Sequence, residues 1–195
     1  GALLLLPSVV EKIGDGAYAN ITDASSFIVN SVNQNYMVEN GVLYNKSGTE
    51  IVQYPKGRSD VTFIANANNS SGSTNTVTSI RPYAFYGCEN LTSVNISGVE
   101  KVGEYAFANA GNLETITAQW LKDVSYEAFS GTKWFENEWN NESNNSQIVL
   151  ANCLLLYTDT EKDVMELRDW RSTVYYIAEQ AFASTQLETI YMPLL

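Results

Sequence analysis

The side chains that carry most protein chemistry are scarce in this chain. None of its 195 residues is histidine. That removes Ser-His-Asp and Cys-His nucleophilic arrangements and leaves any zinc site without its usual nitrogen ligand. The two cysteines, Cys88 and Cys153, stand 65 residues apart with no Cys-x-x-Cys spacing. Cys153 lies inside an apolar run, and both are expected to be small core residues rather than a disulfide. Acids gather at Glu136, Glu138 and Glu142, and again at Asp159, Glu161, Asp163, Glu166 and Asp169. Calcium takes such oxygens, yet the second group lacks the glycine and spacing of a calcium loop, so solvated loop charge is the reading. Glycoside hydrolysis needs two carboxylates facing each other across a cleft, and no pair is singled out here. No catalytic residue, metal or cofactor is expected, and the chain is read as not an enzyme.

Recognition remains. The chain has 4 Trp, 12 Tyr and 7 Phe, and Trp139 and Trp170 are candidates for stacking on sugars or anchoring a protein partner. Burial beneath neighbouring hairpins is the alternative for each. With 22 acids against 11 bases the net charge is −11, which argues against a nucleic-acid partner, because phosphate binding needs a basic stripe. It also disfavours an anionic membrane surface. No segment reaches the roughly 18 apolar residues of a membrane span.

The elements that must position these residues are repeated. Ile80-Arg-Pro-Tyr-Ala84-Phe85-Tyr-Gly-Cys88-Glu-Asn-Leu91-Thr-Ser-Val94-Asn-Ile96 is followed by Val102-Gly-Glu-Tyr-Ala106-Phe107-Ala-Asn-Ala110-Gly-Asn-Leu113-Glu-Thr-Ile116-Thr-Ala118. Ala84 and Ala106 are 22 residues apart, as are Leu91 and Leu113. A third copy places Ala128-Phe129 at the same interval. A fixed period in the low twenties predicts a solenoid of stacked coils, since one such unit cannot bury its apolar side alone. Alternation after each Leu predicts a short strand with Val94 and Ile96 inward. Ser93, Asn95, Thr115, Thr117, Thr189 and Tyr191 then point outward as the other candidate binding surface.

These coils resemble the leucine-rich repeats of the BspA-like family, whose pattern is roughly I-G-x-x-A-F-x-G-C-x-x-L-x-x-I-x-I-P. Cys88 matches the cysteine of that pattern, and Ala110 replaces it one coil later. The resemblance implies a repeat solenoid with short parallel strands on one face, few helices and two β-hairpin inserts. It also implies a secreted or bacterial cell-surface protein, a non-enzymatic module engaging a protein or glycan partner. A carbohydrate-binding domain or a structural stalk segment is the alternative.

The whole of 1–195 is read as one repeat domain, a fragment of a longer chain, with inserts at about 33–76 and 136–172. Leu4 and Leu6 take the places of Val94 and Ile96 in a first coil, and Phe27 and Val29 do so in the next. Asn40-Gly41 and Ser47-Gly48 between β-branched and aromatic runs predict a β-meander. Asn66 to Asn75 reads as a surface loop, and so does Glu136 to Gln147. Ile148 to Tyr157, two apolar runs around Ala151-Asn152, reads as a second hairpin. The rings of Tyr18, Phe85, Phe107, Phe129 and Phe182, each after an Ala, are expected on equivalent rungs of one interior. An export signal upstream is expected, and the uncapped apolar ends imply missing residues or a covering partner, so that oligomerisation through those ends is open.

Overall fold

The computed structural model describes residues 1–65, 76–125, 127–144, 146–162, 164–166 and 174–191. The polar stretch Asn66 to Asn75 lies outside the described residues. Strand β1 (Ala2–Leu6) pairs in parallel with β2 (Ala24–Val29), Leu4 beside Phe27 and Leu6 beside Val29. That is the relation expected of successive coil strands. A meander follows, β3 (Tyr36–Glu39), β4 (Val42–Asn45) and β5 (Glu50–Gln53), all antiparallel. Asn40 and Gly41 turn the first hairpin with φ of 47° and 77°, the two left-handed residues that a two-residue turn needs to match strand twist.

The central coils then run through β6 (Thr62–Ile64), β7 (Ser79–Ile80), β8 (Ser93–Asn95), β9 (Lys101–Val102), β10 (Thr115–Thr117) and β11 (Asp123–Val124). They build two parallel ladders. The one expected from the alternation aligns Thr62, Ser93 and Thr115 on one rung and Ile64, Asn95 and Thr117 on another. The second aligns Ser79, Lys101 and Asp123. It forms at the apolar residue four positions before each Ala, a position read from sequence only as buried.

The meander is spliced into this second ladder. Glu50 pairs with Ser79 and Ile51 with Ile80, in parallel. Tyr54 N–H donates to Ala84 O at 2.8 Å, as Phe85 N–H donates to Ala106 O and Phe107 N–H to Ala128 O. Within the 33–76 stretch, residues 50–64 therefore form a coil of their own, with Tyr54 in the place of the Phe. The meander is buried on both sides because alternate residues face opposite ways. Val42, Tyr44 and Ile51 enter the central core; Tyr36, Leu43 and Val52 enter a smaller core with Leu6, Ile13 and Phe27.

In the central core Phe85 stacks on Phe107 at 4.7 Å and Phe107 on Phe129 at 5.4 Å, with interplanar angles of 14° and 9°. Tyr54 extends the stack at 5.0 Å from Phe85. The other two expected rings are elsewhere: Tyr18 lies edge-on to Phe27, and Phe182 lies 6.0 Å from Tyr157. The hairpins separate those coils from the central ones, and each block packs its ring locally.

Beyond Phe129 the chain forms helix α1 (Lys133–Trp139) and a 3-10 turn at Glu142–Asn144, where the sequence reads as loop from Glu136. The cause is Thr132. Its buried hydroxyl donates to Phe129 O at 2.7 Å and accepts from Phe135 N–H at 3.1 Å, ending the coil and capping the helix with one side chain. Glu136 in the first turn suits the helix dipole. The hairpin β12 (Gln147–Leu150) and β13 (Cys153–Tyr157) is present as expected, turned at Ala151 and Asn152. After β14 (Val164–Glu166) comes β15 (Tyr176–Ile177), which pairs in parallel with β13; β16 (Thr189–Tyr191) pairs in parallel with β14. Tyr157 N–H donates to Ala181 O at 2.8 Å, repeating the Tyr54 bond to Ala84. Both hairpins thus join the solenoid by the same splice. Among the described residues no helix is long and apolar enough to cross a membrane.

Candidate binding surfaces

Four of the outward strand residues come together. Ser93 pairs with Thr115 and Asn95 with Thr117 across β8 and β10, with Thr62 and Ile64 of β6 completing the face. Thr115 and Thr117 are exposed, whereas Ser93 and Asn95 are half-buried. Asn95 also accepts from Ser97 N–H at 2.9 Å. Val94 and Ile96 behind them are fully buried, so the face rests on packed side chains. Thr189 and Tyr191 lie on β16, paired with Val164 and Glu166 in a separate two-stranded sheet. Trp170 lies outside the described residues.

A second surface escaped the sequence reading. The residue before each coil's Ala is left-handed: Gly16, Tyr83, Tyr105, Glu127 and Gln180 have φ between 54° and 70°. Only at Gly16 does glycine remove the cost, which for an L residue is about 1–2 kcal/mol. The side chain there is thrown outward. Tyr83 stacks on Tyr105 at 5.3 Å and lies 5.7 Å from Tyr86. Asn109 donates to the Tyr86 hydroxyl at 2.8 Å, and Lys56 sits 5.9 Å over the Tyr86 ring. All three tyrosines are half-exposed. The signal in sequence was Tyr at 83 and 105, 22 apart; it was obscured because Tyr is a poor candidate for a left-handed turn position.

The third feature is a cleft of about 400 Å³ where the third coil meets the C-terminal block. Backbone bonds of the second ladder measure 3.0 Å from Arg81 N–H to Ile51 O and 2.9 Å for both Gly103 to Ile80 and Ser125 to Val102. That ladder ends at β11, and β15 belongs to another sheet; Glu179 N–H reaches Val124 O across the gap at 3.4 Å, near the limit for such a bond. The floor of the opening holds Ala128, Phe129, Leu155 and Ala178. Phe129, Phe135 and Trp139 on its lining belong to a series of aromatic rings, Phe129, Trp134, Phe135 and Trp139, at successive centroid distances of 5.6, 6.5 and 6.3 Å. It runs from buried Phe129 to Trp139, which is 55% exposed. Trp139 was singled out by residue type; the cleft beside it was not, since it forms between segments some 50 residues apart.

The titratable groups of the interior are inert. Burial pushes the thiols of Cys88 and Cys153 up to about 12, and both are free and buried. Asp60 is held below the usual carboxylate range by hydrogen bonds from Arg58 and from the Tyr54 hydroxyl. Among the described residues no cluster of His, Cys, Asp or Glu has the arrangement of a metal site.

Residues 59–170, more than half of the chain, match six copies of the BspA type leucine rich repeat region. No curated protein matches the chain. Three solved structures are similar in fold. The pneumococcal vaccine antigen PcpA superimposes with a TM-score of 0.60 at 21% identity, over 96% of this chain and 38% of that one. A leucine rich cell surface protein from Faecalibacterium prausnitzii gives 0.53 at 18%, over 96% and 47%. A leucine-rich repeat protein from Eubacterium ventriosum gives 0.51 at 22%, over 98% and 48%. The chain spans less than half the length of each.

Proposed function

Because this chain belongs to the BspA-type leucine-rich-repeat family, we propose that it is a non-enzymatic interaction module, secreted or held at a bacterial cell surface, that presents a rigid repeat face to a protein or glycan. The observation that carries the reading is the β6, β8 and β10 face, small polar residues with the exposed Ile64 at one edge, over the fully buried Val94 and Ile96. Such a surface is formed before any partner arrives, so binding loses little free energy to ordering. The net charge of −11 supports partners other than nucleic acid. Two solved structures of similar fold, one a cell surface protein and one a vaccine antigen, support the location.

A screen of this domain against extracellular-matrix proteins and a glycan array tests the reading. Binding that is weakened by Thr115→Arg with Thr117→Arg, while the fold is retained, is the expected outcome. No binding at micromolar concentrations to any of them would count against it. The exposed indole of Trp139 supports a second reading, carbohydrate binding by stacking. Polysaccharide retention unchanged in Trp139→Ala would remove it.

A further inference from the structure

We propose that the cleft between the third coil and the C-terminal block is a docking site for a lysine or arginine side chain carried on an extended, otherwise apolar peptide segment of a protein partner. Among the described residues that line it, the charged ones are Glu127 and Glu179, with no lysine or arginine. Glu127 directly precedes Ala128, and Glu179 stands two residues before Ala181, one position earlier in its coil. The floor between them is apolar, and Trp139 stands exposed at the edge with Phe135 behind it. A neutral apolar ligand would leave the two carboxylates uncompensated, and an anion would be repelled. A cation on an aliphatic stem matches each part: the stem lies on Leu155 and Ala178, the charged head faces the carboxylates, and the indole face of Trp139 supplies cation–π attraction. A volume of about 400 Å³ exceeds one side chain and leaves room for the residues flanking it.

Partial burial raises the Tyr105 pKa, and Glu127 lies near enough to the Tyr105 hydroxyl for its charge to raise it further. A carboxylate offers about four acceptor positions, so this tyrosine neighbour leaves room for a cationic donor. The opening has a structural origin: the ladder that ends at β11 does not continue into the sheet of β15, and a single 3.4 Å bond from Glu179 N–H to Val124 O crosses the junction.

This proposal rests on reading the chain as an interaction module, and its test separates the two. The Trp139 indole N–H resonance, assigned by its loss in Trp139→Phe, is followed during titration with the blocked peptide Leu-Arg-Leu, its citrulline counterpart and a neutral cello-oligosaccharide. The Arg peptide is expected to shift the resonance saturably, and Glu127→Gln with Glu179→Gln to weaken binding by about tenfold or more. Glutamine matches glutamate in size, and Glu127 is half-buried and Glu179 exposed; unchanged circular dichroism and melting temperature establish that the fold is retained. No shift at roughly 5 mM peptide, an equal shift with citrulline, or a shift with the oligosaccharide alone would overturn the proposal. Each of these outcomes leaves the module reading intact, since that reading is tested separately by the screen on the strand face.

Discussion

Phe107 is fully buried and lies between two parallel rings, so its loss removes both contacts and leaves a void the backbone ladders cannot close. Phe107→Ala is expected to lower unfolding free energy by about 3–5 kcal/mol, measured by urea denaturation, and Phe107→Leu by much less. Cys88 shows how little its position requires beyond size, since Ala110 fills the equivalent place one coil later, equally buried. Its thiol nevertheless leaves a signature in pH. The folded value is raised from 9.0 to about 12, so the neutral thiol is favoured by folding. Stability from this group is complete below the unfolded value and is lost as pH rises from about 9 towards 12. Cys153 acts in the same direction from the same ordinary value, and Tyr44 does so from 10.0 to about 12. The urea midpoint should therefore fall steadily above about pH 9, and Cys88→Ala should flatten that fall. A midpoint independent of pH in that range would contradict the burial of these groups. That Cys88 is a core residue was legible from its neighbours; that Tyr83 and Tyr105 are surface residues on a left-handed backbone was not, because φ is set by the coil and not by the residue.

At the scale of the element, two residues hold the coils to their turns. A Cβ on Gly103 would lie 2.6 Å from Pro82 Cδ and 2.9 Å from Arg81 C, which is the backbone of the preceding coil. Gly103→Ala forces the coils apart and is expected to cost about 1–3 kcal/mol, read as a drop in melting temperature. The crowding is particular to this coil, where Pro82 lies opposite: a Cβ on Gly14 would meet nothing within 4 Å, and Arg81 and Ser125 stand at the equivalent places of the neighbouring coils. Thr132 ends the third coil and caps α1, so Thr132→Ala should cost about 1–2 kcal/mol, with Thr132→Ser recovering most of it. The helix itself was missed because Lys133 to Trp139 is seven residues, too short for a helical period to be visible, and an isolated helix of that length is unstable in water. It exists because Trp134 packs edge-on against Phe129 at the end of the ring stack. Both hairpins, by contrast, announced themselves through Asn40-Gly41 and Ala151-Asn152. What stayed hidden was their splice, in which Tyr54 and Tyr157 donate to Ala84 and Ala181.

For the molecule as a whole, coil contacts reach only to neighbours, so register matters more than length. Excising residues 85–106 joins Ala84 to Phe107 and removes one whole period; the product should fold cooperatively, with a lower melting temperature from the lost interface. Excising residues 87–106, two residues fewer, puts every later strand out of step and should give an unfolded chain by circular dichroism. If both products fold equally, the stacked-rung account is wrong. The 22-residue spacing, the small Ala at each crossing and the alternation after each Leu determine by themselves that the chain is a solenoid and which residues fill it. Those are local, repeated features, and a repeat writes its packing rule many times over. The tertiary structure alone decided that the second ladder exists, that Tyr54 completes the central ring stack while Tyr18 and Phe182 do not, and that Glu127, Glu179 and Trp139 border one cleft. Each of these depends on how a hairpin inserts between coils, and that contact between distant segments has no spacing in the sequence to reveal it.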